Sequence, residues 1–348
     1  MIDVLQETEM NKYTVVYTDP TWALGKDGQV DPSLATIERE VFGKDVELRF
    51  GWAQNGRYCK TGSRYLSVLS GAHGLVISRC PINGEVLAAA GGQLKVVCRQ
   101  GVGYDNLAPD LLRTHGIMGF NIPDYCIDEV ASHTLALLLA LERGLLAQHL
   151  TLSRGQFDVY AGGMPRRLQE CTAGILGFGR IGRAVSARLR VFYTSVMACD
   201  PNVSGELMIA YGVEKVRFED LLRRADAILL HCTLNETTLG IMDAVAFANM
   251  KRTPFIVNTA RGALVDARAL FEALEHHQVA GAGIDVFSPE DPNEDEWYAR
   301  LVHHPRALVS SHRAYLSSQA ELSQRRRAAE GILRVLTTGL PPPSGLLT

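Results

Sequence analysis

Apolar residues in this chain gather in short, nearly continuous runs separated by segments of helical periodicity. The first runs are Tyr13 to Asp19, Val46 to Phe50, Gly74 to Ser78, Leu94 to Arg99 and Ile117 to Asn121. Short β-branched runs of this kind predict strands covered on both faces, as in a parallel sheet. Between them, NGEVLAAAGG and LAPDLLRTHG carry helical spacing. A long helix is predicted from about Asp128 to His149, followed by an irregular connection through SRGQFDVYAGGMPRRLQE. A second strand series then begins: Thr172 to Phe178, Ser195 to Asp200, Ala227 to Cys232, Pro254 to Ala260, Gly281 to Phe287 and Ala307 to Ser311. A final helix is predicted over Ser317 to Thr338, and the Pro-rich tail GLPPPSGLLT is expected to fray.

The pattern predicts an α/β protein with two Rossmann-like, doubly wound parallel sheets. A chain of 348 residues favours two domains over one. The expected division is a discontinuous domain, 1–124 plus 313–348, around an inner domain, 125–312.

Composition changes this picture only by exclusion. Hydrophobic residues at 47% and charged residues at 21% exclude a mainly disordered chain. A net charge of -3 offers no general attraction for nucleic acid or an acidic membrane. The greasiest stretch, Leu135 to Leu141, is too short to span a bilayer and runs into Glu142 and Arg143. The start, MIDVLQETEMNKY, lacks the apolar core of a signal peptide, so a cytoplasmic location is expected. Seven cysteines without CxxC spacing predict buried free thiols. No metal site is expected: the pairs His276–His277 and His303–His304 lack ligand spacing and should be exposed. Arg325, Arg326 and Arg327 are expected to form one solvated helix face.

The strongest chemical signal is GILGFGRIGRAV, which sets Gly177, Gly179 and Gly182 in GxGxxG spacing after a strand and before a helix. Gly177 permits the tight turn, Gly179 lets backbone approach a pyrophosphate, and Gly182 lets the helix pack on the strand. Arg180 adds a charge for phosphate. Asp200, eighteen residues beyond Gly182, is placed to accept from both ribose hydroxyls and to repel a 2′-phosphate. Pro201 and Asn202 offer no cation for one. NAD is therefore expected over NADP. Downstream, Arg261, Asp285, Glu290 and His312 stand at or just beyond predicted strand ends, where open parallel sheets collect ligands.

With GILGFGRIG, CDP, NTARGALVD, GIDVFSPEDP, the His312 segment and CRQGVGYDN in this order, the chain resembles the D-isomer-specific 2-hydroxyacid dehydrogenase family. LHCTLNETT, FIVNTARGALVD and HRAYLSSQAELSQRRRAAEGI are closest in flavour to its C-terminal binding protein-like and phosphoglycerate dehydrogenase-like branch. The resemblance implies an NAD-dependent enzyme that interconverts small 2-oxo and D-2-hydroxy acids, working in the cleft between the two domains. It implies that Arg261 grips the substrate carboxylate and carbonyl, that His312 is the general acid–base, and that Glu290 holds the imidazole and favours its charged form. It implies cofactor contacts from Gly177, Gly179, Arg180, Ile181, Gly182, Asp200, Pro201, Cys232, Thr233, Thr238, Thr259, Ala260 and Asp285, the last toward the nicotinamide carboxamide. The N–H groups of Val102 and Gly103 would bind the substrate carboxylate, with Arg99, Arg313 and Tyr315 also lining the substrate site. Arg99 and Arg313 suit a second anionic group, and pairing with nearby acids is the plainer alternative. A homodimer is implied, through the helix from Asp128. Two departures stand out: Ser311 where the family commonly has Pro, and Asp291 before Pro292. The rival reading is an NAD(H)-sensing, corepressor-like scaffold.

Overall fold

The computed structural model describes residues 12–348. The reading of the first eleven residues as no signal peptide lies outside these described residues. In chain order the first elements are β1 (Tyr13–Tyr17), α1 (Thr36–Phe42), β2 (Val46–Phe50), β3 (Ala53–Gln54), β4 (Arg57–Tyr58), α2 (Gly62–Leu69), β5 (Gly74–Ile77), α3 (Gly84–Ala90), β6 (Val96–Arg99), α4 (Pro109–Thr114) and β7 (Met118–Asn121). Then come α5 (Ile127–Glu142), α6 (Leu145–Ser153), β8 (Thr172–Leu176), α7 (Arg180–Leu189), β9 (Ser195–Cys199), α8 (Gly205–Ala210), β10 (Glu214–Lys215), α9 (Phe218–Arg224) and β11 (Ala227–Leu230). The chain closes with α10 (Ala244–Ala248), β12 (Phe255–Asn258), α11 (Ala267–Glu275), β13 (Gly281–Ile284), α12 (Glu296–Val302), β14 (Ala307–Val309) and α13 (Ser318–Thr338).

These elements form two compact units. One runs through Tyr125 and resumes at Ser318; the other is Cys126–Ser317. In the first unit a parallel sheet has the order β2-β1-β5-β6-β7. Alternate strand residues enter different cores, which explains the unbroken apolar runs. Val16, Leu75, Ile77 and Val97 pack with α2 and α3. Val15, Tyr17, Val76, Val96 and Cys98 pack with Ala328, Ala329 and Ile332 of α13. The tail beyond α13 does not fray, contrary to expectation. Asn121 N–H donates to Gly345 O at 3.0 Å, and Leu347 N–H donates to Gly119 O at 2.9 Å, so the tail extends the β7 edge. Open β7 backbone groups and the apolar body of Leu347 outweigh the proline content.

Arg325 is also corrected. It is buried rather than solvated, and its guanidinium grips Glu38 of α1 in a two-pronged pair, Nε to Oε1 at 2.9 Å and Nη2 to Oε2 at 2.7 Å. Successive helix residues point about 100° apart, so three consecutive arginines cannot share one face. Arg326 meets Glu40, and Arg327 meets Asp124.

In the second unit seven parallel strands run β10-β9-β8-β11-β12-β13-β14. Ile175, Leu229 and Val257 pack with α5 and α7 on one face, while Ile228, Leu230 and Ile256 enter the core on the other. The strand order reverses between β8 and β11, the switch point at which doubly wound sheets bind ligands. The expected single helix through His149 is two helices. Gly144 takes a left-handed conformation (φ 61°) and bends α6 away from α5 by 61°. No single helix among the described residues is long and apolar enough to cross a membrane. His304 is also corrected from exposed to buried; it bonds Glu275 at 3.0 Å and accepts from Arg306 N–H.

Candidate functional site

Within the second unit, the β8–α7 turn has no room for side chains at two of its three glycines. A Cβ on Gly177 (φ +96°) would lie 2.3 Å from Cys232 N, and one on Gly182 would lie 2.2 Å from Gly177 O. Gly179 differs: a Cβ there would meet nothing within 4 Å. The protein itself does not demand glycine at 179, whereas a ligand drawn up to the helix end would. Gly179 is the N-cap of α7 and no side chain caps it, so the first N–H groups of the helix remain for an anion. Arg180 is exposed beside them, and Ile181 packs against the core beneath.

Asp200 follows β9. Its Oδ2 accepts from Phe178 N–H at 2.8 Å and its Oδ1 from Asn202 N–H at 2.9 Å. The carboxylate is thereby tied to the glycine turn, with Pro201 exposed next to it. After β11, Cys232 lies against Gly177, and the Thr238 hydroxyl donates to Thr233 O at 2.7 Å, closing that loop. Burial holds the Cys232 thiol up at about 12, so it is no thiolate. Burial likewise lowers His231 to about 3 and keeps that imidazole neutral.

Arg261 leaves β12 on a shaped loop. Asn258 accepts from Ala260 N–H at 3.0 Å and donates to Arg261 O at 2.8 Å. Gly262 lies so close to Phe287 that a Cβ would fall 2.2 Å from its carbonyl carbon, and Tyr298 donates to Gly262 O at 3.0 Å. The Arg261 guanidinium donates to Ala260 O at 2.8 Å. Thr259 turns inward: its hydroxyl meets Thr134 of α5 at 2.8 Å, and Thr134 itself donates to Val130 O.

His312 follows β14. Its Nδ1 lies 2.6 Å from Glu290 Oε1, with both side chains partly exposed. A carboxylate can only accept, so the proton of this contact resides on Nδ1 and Nε2 is left for exchange. His312 has φ +52°, a left-handed conformation that costs a side-chain-bearing residue about 1–2 kcal/mol. Asp285 compensates. It is fully buried; its carbonyl accepts from His312 N–H at 2.7 Å, and its carboxylate accepts from Ser310 Oγ, Arg313 N and Ala314 N at 2.5, 3.0 and 2.9 Å. These three hydrogen bonds to the Asp285 carboxylate all come from the His312 segment. Tyr315 sets its ring edge-on to His312 with centroids 6.2 Å apart, and Arg313 is exposed. Asp291, the acid before Pro292, caps the short turn Pro292–Glu294 by accepting from Asn293 N–H.

In the first unit, Arg99 ends β6 and its guanidinium lies across Gly101, where a Cβ would fall 1.5 Å from Nη1. Asn121 donates to Val102 O at 2.5 Å, fixing the loop through Gly103. Asp19, past the end of β1, accepts from Ser78 N–H and Arg79 N–H at 2.8 and 2.6 Å. Sequence reasoning does not single out Asn258 and Asn121, which shape the Arg261 and Val102 loops. Asx side chains at strand ends bond nearby backbone, and that was the signal available for them. Among the described residues no group of three or more His, Cys, Asp or Glu could hold a metal ion.

Residues 135–314 match the family model for the D-isomer specific 2-hydroxyacid dehydrogenase, NAD binding domain, over more than half of the chain. The chain belongs to the D-isomer specific 2-hydroxyacid dehydrogenase family. The D-3-phosphoglycerate dehydrogenase of Bacillus subtilis (strain 168) is 33% identical over 255 residues, 73% of this chain and 47% of that protein. The enzyme of the same name from Archaeoglobus fulgidus is 33% identical over 299 residues, 86% of this chain and 54% of that protein. The chain therefore spans about half the length of the curated relatives it matches. Among solved structures, the TT0316 protein from Thermus thermophilus superposes with a TM-score of 0.79 at 29% identity, covering 96% of this chain and 100% of that one. The D-lactate dehydrogenase from Aquifex aeolicus, solved with NAD and lactic acid, shares the fold, with a TM-score of 0.80 at 23% identity over 93% and 96% of the two chains.

NAD is the cofactor of this family domain, and the residues present fit it. The open space before Gly179, the uncapped α7 N-terminus and a fixed carboxylate at the end of β9 match a pyrophosphate and a ribose diol in turn. In this 2-hydroxyacid dehydrogenase domain, Arg261, His312 and the glycine turn all stand at carboxyl ends of strands of one sheet.

Proposed function

We propose that the protein interconverts a small 2-oxo acid and the corresponding D-2-hydroxy acid, with NAD as redox partner. The observation that carries this reading is the His312–Glu290 contact, which leaves one imidazole nitrogen free for proton exchange. In the reducing direction the 2-oxo acid, NADH and one proton become the 2-hydroxy acid and NAD. The cofactor, when bound, supplies the hydride to C2. Arg261 grips the substrate carboxylate through charge-assisted bonds and polarises the neighbouring carbonyl. His312 Nε2 gives the carbonyl oxygen its proton, and takes it back in the oxidising direction. Glu290 keeps a proton on Nδ1, so the ring gives its Nε2 proton as the imidazolium and takes one back as the neutral imidazole. The N–H groups of Val102 and Gly103 are proposed to receive the substrate carboxylate. Asp200 favours NAD over NADP by charge.

Arg99 and Arg313 are proposed to accept a second anionic group. The relatives named for phosphoglycerate act on such a substrate, which supports this reading. The exposed apolar side chains of Leu145, Leu150, Leu152, Phe157, Tyr160 and Met164 support a homodimer. Free thiols throughout suit a reducing, cytoplasmic compartment. A scaffold that merely senses the cofactor has no need of a proton-exchanging imidazole backed by a carboxylate.

The test compares turnover of pyruvate with 2-oxo acids carrying a distal carboxylate or phosphate. The expected result is a preference for the dianion that Arg99→Ala lowers by about tenfold to a hundredfold in kcat/KM, at the scale of one charge-assisted bond. Equal efficiency on both substrates, unchanged in the variant, would remove the second-anion assignment.

A further inference from the structure

A largely buried polar chain in the second unit runs from α5 to the Asp285 carboxylate that holds the His312 segment. It begins on α5, at His133. His133 Nε2 lies 2.9 Å from Ser310 Oγ, and Ser310 Oγ lies 2.5 Å from Asp285 Oδ1. The imidazole also stands 3.6 Å from the same carboxylate oxygen. Ser310 lies two residues before His312, and Asp285 bonds the N–H groups of the two residues after it.

The proton positions in this chain follow from the inventory of donors. The Asp285 carboxylate accepts from two backbone N–H groups, so it acts as an acceptor toward Ser310 as well. The one hydroxyl proton of Ser310 is therefore committed to Asp285. What Ser310 offers His133 is a lone pair, and His133 must hold its proton on Nε2. The imidazole then closes the polar chain at the helix, and nothing in it is left with two donors or two acceptors facing each other. The segment it ends on is strained at His312. A left-handed residue keeps its place only when its surroundings over-determine it.

We propose that His133 is a positioning residue for His312: through Ser310 it completes the clamp on Asp285 that holds the 310–314 segment. This rests on the reading of His312 as the proton-exchanging group. His133 touches neither substrate nor cofactor in the proposal; it acts only through Ser310 and Asp285. A misplacement of the imidazole by an ångström is enough to cost catalysis about a hundredfold.

The experiment uses the full chain with His133→Leu, His133→Gln, Ser310→Ala and the Leu/Ala double variant. Steady-state kinetics with NADH and the best 2-oxo acid are read beside NADH binding by fluorescence. Loss of the donor in His133→Leu is expected to lower kcat about tenfold to a hundredfold with NADH affinity unchanged. His133→Gln keeps an amide donor and is expected to recover most of the loss. The double variant should be no worse than the poorer single variant, because both break one chain. Imidazole nitrogen NMR supplies a readout independent of turnover: the wild-type protein should show His133 protonated on Nε2, and His312 resonances should move in His133→Leu but not in His133→Gln. Wild-type kcat in His133→Leu, equal losses in Leu and Gln, additive losses in the double variant, or a His133 ring protonated on Nδ1 alone would each overturn the proposal. If the wild-type protein reduces no 2-oxo acid, the reaction assignment fails while the NMR arm still decides the clamp.

Discussion

Replacing His312 by alanine lowers kcat by about 10²- to 10⁴-fold, the range associated with removing a general acid–base, and leaves NADH binding intact. Both parts follow from where the residue stands. Nδ1 is engaged by Glu290 at 2.6 Å, so the proton that moves is the one on Nε2, and alanine removes both nitrogens. The elements proposed to bind the cofactor lie elsewhere along the carboxyl ends of the strands, in the glycine turn after β8 and in Asp200 after β9. Alanine at a φ of +52° adds little strain beyond what histidine already bears there. The measurement is a pair of curves, NADH consumption against substrate concentration and NADH fluorescence against protein. Turnover at the wild-type rate in this variant would end the acid–base assignment. Weakened NADH binding would instead show that the substitution disturbs the fold of the loop.

The second large effect concerns stability. Arg325→Ala is expected to cost about 3–5 kcal/mol because it leaves Glu38 buried without this partner, and Glu38→Ala somewhat less, because Arg325 keeps Glu321 at 3.8 Å. Glu38 is wholly buried and Arg325 nearly so, and the guanidinium also donates to Leu34 O at 2.9 Å and lies 3.8 Å from the Trp22 ring centroid. Replacing both together, Glu38→Leu with Arg325→Met, removes the uncompensated charge and should recover most of the loss. The neighbouring pair of Arg326 with Glu40 is largely exposed, and Arg326→Ala should cost less than about 1 kcal/mol. Urea unfolding midpoints of the four variants test this ordering. Similar losses for Arg325→Ala and Arg326→Ala would contradict it.

How much of this was legible in the sequence depended on the range of the interaction that decides each feature. Strands such as β5, β6 and β11 could be read directly because both sheet faces are covered, and burial on two sides writes an unbroken apolar run. The glycine turn was legible because Gly177 and Gly182 answer to backbone a few residues or one strand away. The bend at Gly144 was hidden: a lone glycine inside a helical pattern is compatible with continuation, and Gly162, 3.3 Å from where a Gly144 Cβ would stand, is too far along the chain to be read beside it. Arg325 looked like its neighbours because its partner, Glu38, is 287 residues away. The same distance problem concealed the tail on β7 and the His133–Ser310 contact, which spans 177 positions. Thr259 and Asp285 occupied the expected strand ends, yet their side chains turn inward. Side-chain direction at a strand terminus is set by local backbone twist and competing donors rather than by position alone.

The proposed reaction passes hydride between nicotinamide and the C2 carbon of a 2-oxo acid. It is tested most directly by supplying NADH labelled with deuterium at the transferable C4 position, together with the 2-oxo acid that turns over best. The product is then examined by mass spectrometry and NMR. One deuterium is expected on C2 of a D-2-hydroxy acid for each NADH consumed. NADH that binds but is not oxidised by any 2-oxo acid tested, or a product whose C2 hydrogen comes from solvent, would contradict it.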